Sequence, residues 1–130
     1  MSLARFAQAR VARLATADKD GRPHLVPVTF AVHRDVVVIA VDHKPKTTTN
    51  LRRLRNIAEN DQVSMLVDHY DEDWRRLWWI RVDGTARILP AAAQSEPVEW
   101  LRAKYEQYRD RPPRGPVIEI RVRKVVDWPG

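Results

Sequence analysis

The densest chemistry in the sequence lies in DHKPKTTTNLRR, residues 42–53. Lys44 and Lys46 stand just before a predicted helix whose first turn holds Thr47, Thr48 and Thr49. A helix N-terminus presents unpaired N–H groups and the positive end of the helix dipole. Threonine hydroxyls add donors and lysines add charge. Together they make a site for phosphate. The same residues also describe a solvated basic loop with a threonine N-cap, and the local pattern does not separate the two.

A second group is aromatic: Trp74, Trp78 and Trp79, with Tyr70 nearby. Indoles stack on planar heterocycles and fill interfaces. Trp78 shares a strand face with Ile80 and Val82 and reads as core. Trp79 falls on the opposite, polar face with Arg81, Asp83 and Arg87, so it is the better candidate for a ligand or interface contact. The histidines are His24, His33, His43 and His69. No pair has the helical spacing of a metal site, and no metal is predicted. His33 reads as a turn residue, and His43 and His69 as strand ends of structural type. Asp71-Glu72-Asp73 reads as a solvated turn. The sequence contains no nucleophile elbow, P-loop or dinucleotide fingerprint, and no catalytic residue is assigned.

The elements that must position these groups are mostly strands. Residues 9–16 form a first strand, and Asp20-Gly21 is a strong hairpin signal. Residues 24–32 alternate, with Val26, Val28, Phe30 and Val32 on one face. Pro27 cannot donate to a ladder, so this strand lies at an edge or is bulged there. After a turn at His33-Arg34-Asp35, VVVIAV (residues 36–41) has the continuous apolar character of a strand buried on both faces. A helix is predicted over residues 47–60, with Leu51, Leu54 and Ile57 or Ala58 inward and Asn60 as its stop. Strands follow at 63–69 and 77–89, the latter with Trp78, Ile80, Val82, Gly84, Ala86 and Ile88 on one face. Ser95 is expected to cap a second helix with Pro97 in its first turn and an apolar stripe of Val98, Leu101 and Tyr105. RDRPPRGP (residues 109–116) ends it, and residues 117–126 are the last strand. The sum is a mainly β fold: about six strands in antiparallel hairpin succession, closed into a small barrel that removes its edges, with two peripheral helices.

Composition sets the frame. The chain has 130 residues, 44% hydrophobic and 31% charged, and is read as one domain spanning 1–130. It has no cysteine, which excludes disulfides, thiolate metal sites and cysteine nucleophiles and fits a reducing compartment. No run approaches the roughly 20 apolar residues of a membrane span, and no signal peptide is read, so a cytoplasmic protein is expected. The net charge of +6 and isoelectric point near 10.2 suit anionic partners in general. A nucleic-acid-binding barrel ranks low, because the paired aromatic motif of an RNA-binding sheet is missing.

Taken in order, RVARLATADKDGRPHLVPVTF, DHKPKTTTNLRRLRNIAEND, VSMLVDH, RVDGTARIL and the terminal VRKVVDW resemble the pyridoxamine 5′-phosphate oxidase-like split-barrel flavoproteins over nearly the whole chain. KPKTTTNLRRLR and LVDHYDEDWRRLWWIRVDGTARIL are similar to the branch that uses the deazaflavin coenzyme F420. FMN-using members carry an Arg-Lys pair before the helix. Here Pro45 replaces the arginine and Lys46 matches the lysine, which tilts the cofactor from FMN toward F420. Lys44, Arg52 or Arg53 could supply the missing charge.

The resemblance implies a six-stranded antiparallel split barrel and a homodimer with two cofactor sites at the subunit interface. It implies a phosphate against Lys46, Thr47 and Thr48, with Lys44 and Asn50 beside it. The ring would lie along Pro27, Val28 and Thr29 near Val41 and His43, with His69, Trp79 and Arg81 coming from the other subunit. It further implies an F420-dependent oxidoreductase that moves a hydride between the reduced deazaflavin and an unsaturated organic substrate. The alternatives are an FMN-dependent oxidoreductase of the same fold and a non-catalytic carrier. Neither nucleic acid nor membrane is an expected partner.

Overall fold

The computed structural model describes residues 2–41 and 51–129. Seven strands run β1 Ala12–Ala17, β2 Pro23–Val28, β3 Ala31–His33, β4 Val36–Ala40, β5 Gln62–His69, β6 Trp78–Ile88 and β7 Val117–Trp128. Four α-helices accompany them: α1 Ser2–Gln8, α2 Arg52–Glu59, α3 Ser95–Lys104 and α4 Glu106–Asp110. Every strand pairing is antiparallel. The order across the sheet is β2-β1-β5-β6-β7-β4-β3.

That order forces the sheet to curl. β2 and β3 are its two end strands, yet only Thr29 and Phe30 lie between them in the chain. In a flat sheet the two end strands would stand about 29 Å apart, six spacings of about 4.8 Å. Three Cα steps reach at most about 11 Å. The sheet therefore bends back on itself, and no hydrogen-bonded ladder joins β2 to β3. The result is an open, half-closed barrel.

The predicted barrel of six strands is corrected to seven, because the run from 24 to 32 breaks in two. Phe30 and Ala31 are both buried, which no single half-buried strand allows. Phe30 belongs to the cluster inside the curl and Ala31 to a second cluster on the outer side of β3, β4 and β7, beneath α3. The chain leaves one edge of the sheet and enters the other between them. Pro27 lies on an end strand, as expected of a residue with no N–H for a second neighbour. The reading of residues 36–41 also holds: Val37, Ile39 and Val41 face the inner cluster, Val38 and Ala40 the outer one.

The count of two helices is corrected to four among the described residues. α1 is not announced by the apolar pattern; Phe6 is its one fully buried side chain, set 4.9 Å from the Phe30 ring. The second expected helix is interrupted at Tyr105, whose extended φ/ψ of −116°/121° separates α3 from α4. Its N-cap is Gln94, with Ser95 the first helical residue. The start of the helix predicted over 47–60 is corrected to Arg52, because Leu51 has extended φ/ψ of −70°/149° and so Thr47, Thr48 and Thr49 are not its first turn. α2 stops at Asn60 as expected, and that residue's N–H bonds the Asn56 carbonyl at 2.7 Å. Ile88 is exposed, so the inner face of β6 ends at Ala86. Both predicted hairpin turns are present, with φ of +84° at Gly21 and +57° at Arg34.

Candidate functional site

A cavity of about 420 Å³ opens where four parts of the chain meet. β2 and its exit supply Pro27, Val28 and Thr29; the end of β4 supplies Ala40 and Val41. The start of α2 supplies Leu51 and Arg53, and the α3–α4 junction supplies Tyr105, Gln107 and Tyr108. Its position follows from the split. The chain must cross from one sheet edge to the other at Thr29-Phe30, and that crossing leaves backbone without a ladder. The volume is in the range of small-molecule sites.

α2 is fixed on the barrel by Leu54 and Ile57 in the core and by a buried hydrogen bond from Asn56 Nδ2 to Thr16 Oγ1 at 3.0 Å. This sets Arg53 at the cavity edge. Its Nε is buried and, among the described residues, has no hydrogen-bond partner. Burial pushes its guanidinium pKa below the ordinary value. Among the described residues, no carboxylate lines the cavity. A partly desolvated cation without a counter-ion is costly, and an anionic ligand would relieve that cost.

The opposite wall is held by a polar network around the Thr29-Phe30 link. Tyr105 Oη accepts the Phe30 N–H at 3.2 Å and donates to the Arg10 carbonyl at 2.9 Å. Burial raises the Tyr105 phenol pKa. Lys104 Nζ donates to the Phe30 carbonyl at 2.9 Å and sits 3.8 Å from the centre of the Phe30 ring. Burial, and then the charge of Arg10, lower the Lys104 pKa to about 8. Tyr108 Oη lies 2.8 Å from Thr29 Oγ1.

Of the residues singled out from sequence, Pro27, Val28, Thr29 and Val41 are brought together in this cavity. His43, Lys44, Lys46, Thr47, Thr48 and Asn50 lie outside the described residues. The positions flanking that segment, Val41 and Leu51, both line the cavity.

His69 and Trp79 are found elsewhere in the chain, at the ends of β5, β6 and β7. A hollow of about 310 Å³ is lined there by His69, Tyr70, Trp78, Trp79 and Trp128, with Asp68 and Leu77. An adjoining one of about 410 Å³ shares Trp78, Trp79 and Trp128 and adds Arg5 and Pro129. The His69 ring stacks on Trp78 at 5.9 Å, and Arg5 lies 4.0 Å over the Trp78 ring. Arg81 lines neither hollow. Its guanidinium is forked onto Asp83 at 2.9 and 3.1 Å. Burial opposes charge on Asp83, but the hydrogen bonds from Arg81 and Ser64 outweigh it and hold its pKa below the ordinary value.

Tyr108 and Gln107 are cavity residues that the sequence reading does not single out, and Tyr105 appears there only as part of an apolar stripe. The available signal is two tyrosines three positions apart, directly before the RDRPPRGP break.

Comparison with known proteins follows the same outline. The family profile described as "Pyridoxamine 5'-phosphate oxidase" matches residues 3–129. A 5a,11a-dehydrotetracycline/5a,11a-dehydrooxytetracycline reductase from Streptomyces rimosus is 29% identical over 119 residues, covering 89% of this chain and 72% of that protein. Among solved structures, the heme storage protein HutZ from Vibrio cholerae superposes with a TM-score of 0.75 at 16% identity, covering 96% of this chain and 91% of its own. A FAD-binding protein from Mesorhizobium loti superposes with a TM-score of 0.71 at 20% identity, covering 98% and 93%. At such identities the two structures speak to the fold.

Proposed function

We propose a function from one premise: the chain belongs to the pyridoxamine 5′-phosphate oxidase family. Family membership and the reductase relative support an oxidoreductase that works with a flavin-type cofactor. Our finer reading is an F420-dependent oxidoreductase that moves a hydride between the reduced deazaflavin and an unsaturated organic substrate. FMN is the alternative cofactor.

The observation that carries the reading is the buried Nε of Arg53, without a partner among the described residues, at the rim of a largely apolar cavity. That arrangement fits a ligand with a flat ring and an anionic arm. Val28, Val41 and the face of Pro27 would pack the ring, and Arg53 would meet the phosphate. Lys44, Lys46, Thr47, Thr48 and Asn50 follow in the same role, with His43 beside the ring, because Val41 and Leu51 on either side of their segment line the cavity. Pro45 in place of the arginine of FMN-using members, and a net charge of +6 that suits a polyglutamate tail, favour F420. When bound, the cofactor supplies the hydride chemistry, and the protein supplies position, charge and exclusion of water.

The reading includes a homodimer. Tyr70, Trp74 and Trp128 are 61%, 69% and 45% exposed, an unusual density of bare aromatic surface at one end of the sheet. Covered by a second copy, this end would bring His69, Trp79 and Arg81 toward the partner's cavity. No helix among the described residues is long and apolar enough to cross a membrane; a cytoplasmic location is part of the proposal.

Fluorescence-quenching titration with F420 and with FMN tests the reading. Binding of neither at micromolar concentration sinks it. Oxidation of the reduced cofactor in the presence of enones and quinones then separates an enzyme from a carrier.

A further inference from the structure

Two tyrosine hydroxyls reach the cavity from the α3–α4 junction, and their hydrogen-bonding states differ. Tyr105 Oη accepts from the Phe30 N–H and donates its only proton to the Arg10 carbonyl. It is fully committed to holding the Thr29-Phe30 link. Tyr108 Oη meets Thr29 Oγ1 at 2.8 Å, and among the described residues the pair makes no other side-chain hydrogen bond. Two hydroxyls carry two protons, and one O–H···O contact uses one of them. One O–H of the pair therefore has no acceptor among the described residues, and both residues line the cavity.

The pair is also held in place. Phe30, the residue after Thr29, has its N–H bonded to Tyr105 and its carbonyl to Lys104. The Tyr108 N–H bonds the Tyr105 carbonyl at 3.1 Å, and Arg102 Nε bonds the Tyr108 carbonyl at 3.3 Å. A donor fixed in this way loses little freedom when it engages a ligand.

We propose that the Thr29–Tyr108 pair is the cavity's hydrogen-bond donor toward a carbonyl oxygen of the molecule bound there, with Tyr108 as the contacting residue and Thr29 as the residue that positions it. The inference deepens the cofactor reading and rests on it. The carbonyl belongs either to the cofactor ring or to an unsaturated carbonyl substrate above it; the chemistry recognised is the same.

Tyr108→Phe and Thr29→Val are compared with the wild-type protein in two measurements, with thermal unfolding recorded alongside. The first is the dissociation constant for F420 and for FMN. The second is KM and kcat for 2-cyclohexen-1-one with reduced F420. Loss of one neutral hydrogen bond corresponds to about a three- to tenfold change. Y108F is expected to weaken cofactor binding by that factor if the carbonyl is the cofactor's. It is expected to raise KM by that factor, with cofactor affinity intact, if it is the substrate's. T29V is expected to move the same readout by less, because Tyr108 keeps its proton and loses only its orientation. Wild-type binding combined with a Y108F protein unchanged in cofactor affinity, and unchanged in KM where turnover occurs, overturns the inference alone. Failure of the wild-type protein to bind either cofactor overturns the cofactor reading and this inference with it.

Discussion

Replacing Arg53 by glutamine separates a ligand contact from a structural one, because the two predict opposite effects on stability. The side chain is partly buried, its Nε has no partner among the described residues, and burial alone shifts its pKa downward. Nothing among the described residues of the cavity wall repays the desolvation of that charge. Glutamine removes the charge, shortens the side chain and keeps a donor. The unfolding midpoint of R53Q is therefore expected to stay level or rise. Ligand binding should respond the other way. A hydrogen bond to a charged group contributes about 1.5–3 kcal/mol, so affinity for a phosphate-bearing ligand should fall about ten- to hundredfold. FMN and riboflavin differ by the phosphate alone, which makes them the decisive pair in a fluorescence titration. FMN affinity should drop while that of riboflavin holds. If R53Q weakens both equally, or lowers the midpoint by several degrees, Arg53 supports the fold and the anion lies elsewhere.

Three further expectations concern single side chains. Lys46→Ala should weaken the cofactor by about 1–3 kcal/mol; an unchanged dissociation constant means that the phosphate does not reach this segment. Tyr105→Phe should cost about 1–2 kcal/mol of stability, since the Phe30 N–H and the Arg10 carbonyl both lose a partner; urea denaturation at constant m-value measures it. Lys104 should make stability rise with pH. Its folded pKa of about 8 lies below the ordinary value of 10.5, so in that window the unfolded chain binds more protons than the folded one, and stability increases from about pH 8 toward 10.5. A neutral lysine can still donate to the Phe30 carbonyl, so the bond survives the titration. Lys104→Met should flatten this rise in melting temperature relative to wild type; identical slopes would show that Lys104 is not the group responsible.

How much of this was legible in the sequence depends on how far each feature reaches along the chain. VVVIAV declares a strand buried on both faces because each residue carries its own burial signal, and the structure divides them between two clusters. Pro27 announces an edge because the missing N–H is a property of that residue alone. The break at Thr29-Phe30 is invisible for the complementary reason. Val26, Val28, Phe30 and Val32 keep a period of two straight through it, and what changes is the partner strand, from β1 to β4. Hydrophobic alternation records which face a residue uses and never which neighbour it pairs with.

The cavity inherits that blindness. Thr29 and Phe30 meet their hydroxyl partners on Tyr108 and Tyr105 at sequence separations of 79 and 75 residues, and in the single helix that the sequence predicts there Tyr105 looks like an ordinary apolar position. Arg53 sits in a run of arginines, and the sequence offers it only as one of three cations, with Lys44 and Arg52, that could supply a missing charge. Hence the parts of the site visible in the sequence are those with local chemistry, such as Pro27; the basic threonine-rich segment is legible in the same way and lies outside the described residues. The parts that would select a ligand are made by the jump from one sheet edge to the other. A substitution that lets residues 24–32 run on as one straight strand should therefore abolish binding while keeping most of the secondary structure. Loss of binding without loss of the far-ultraviolet dichroism of the sheet would identify the crossing itself, not any single side chain, as the element that creates the site.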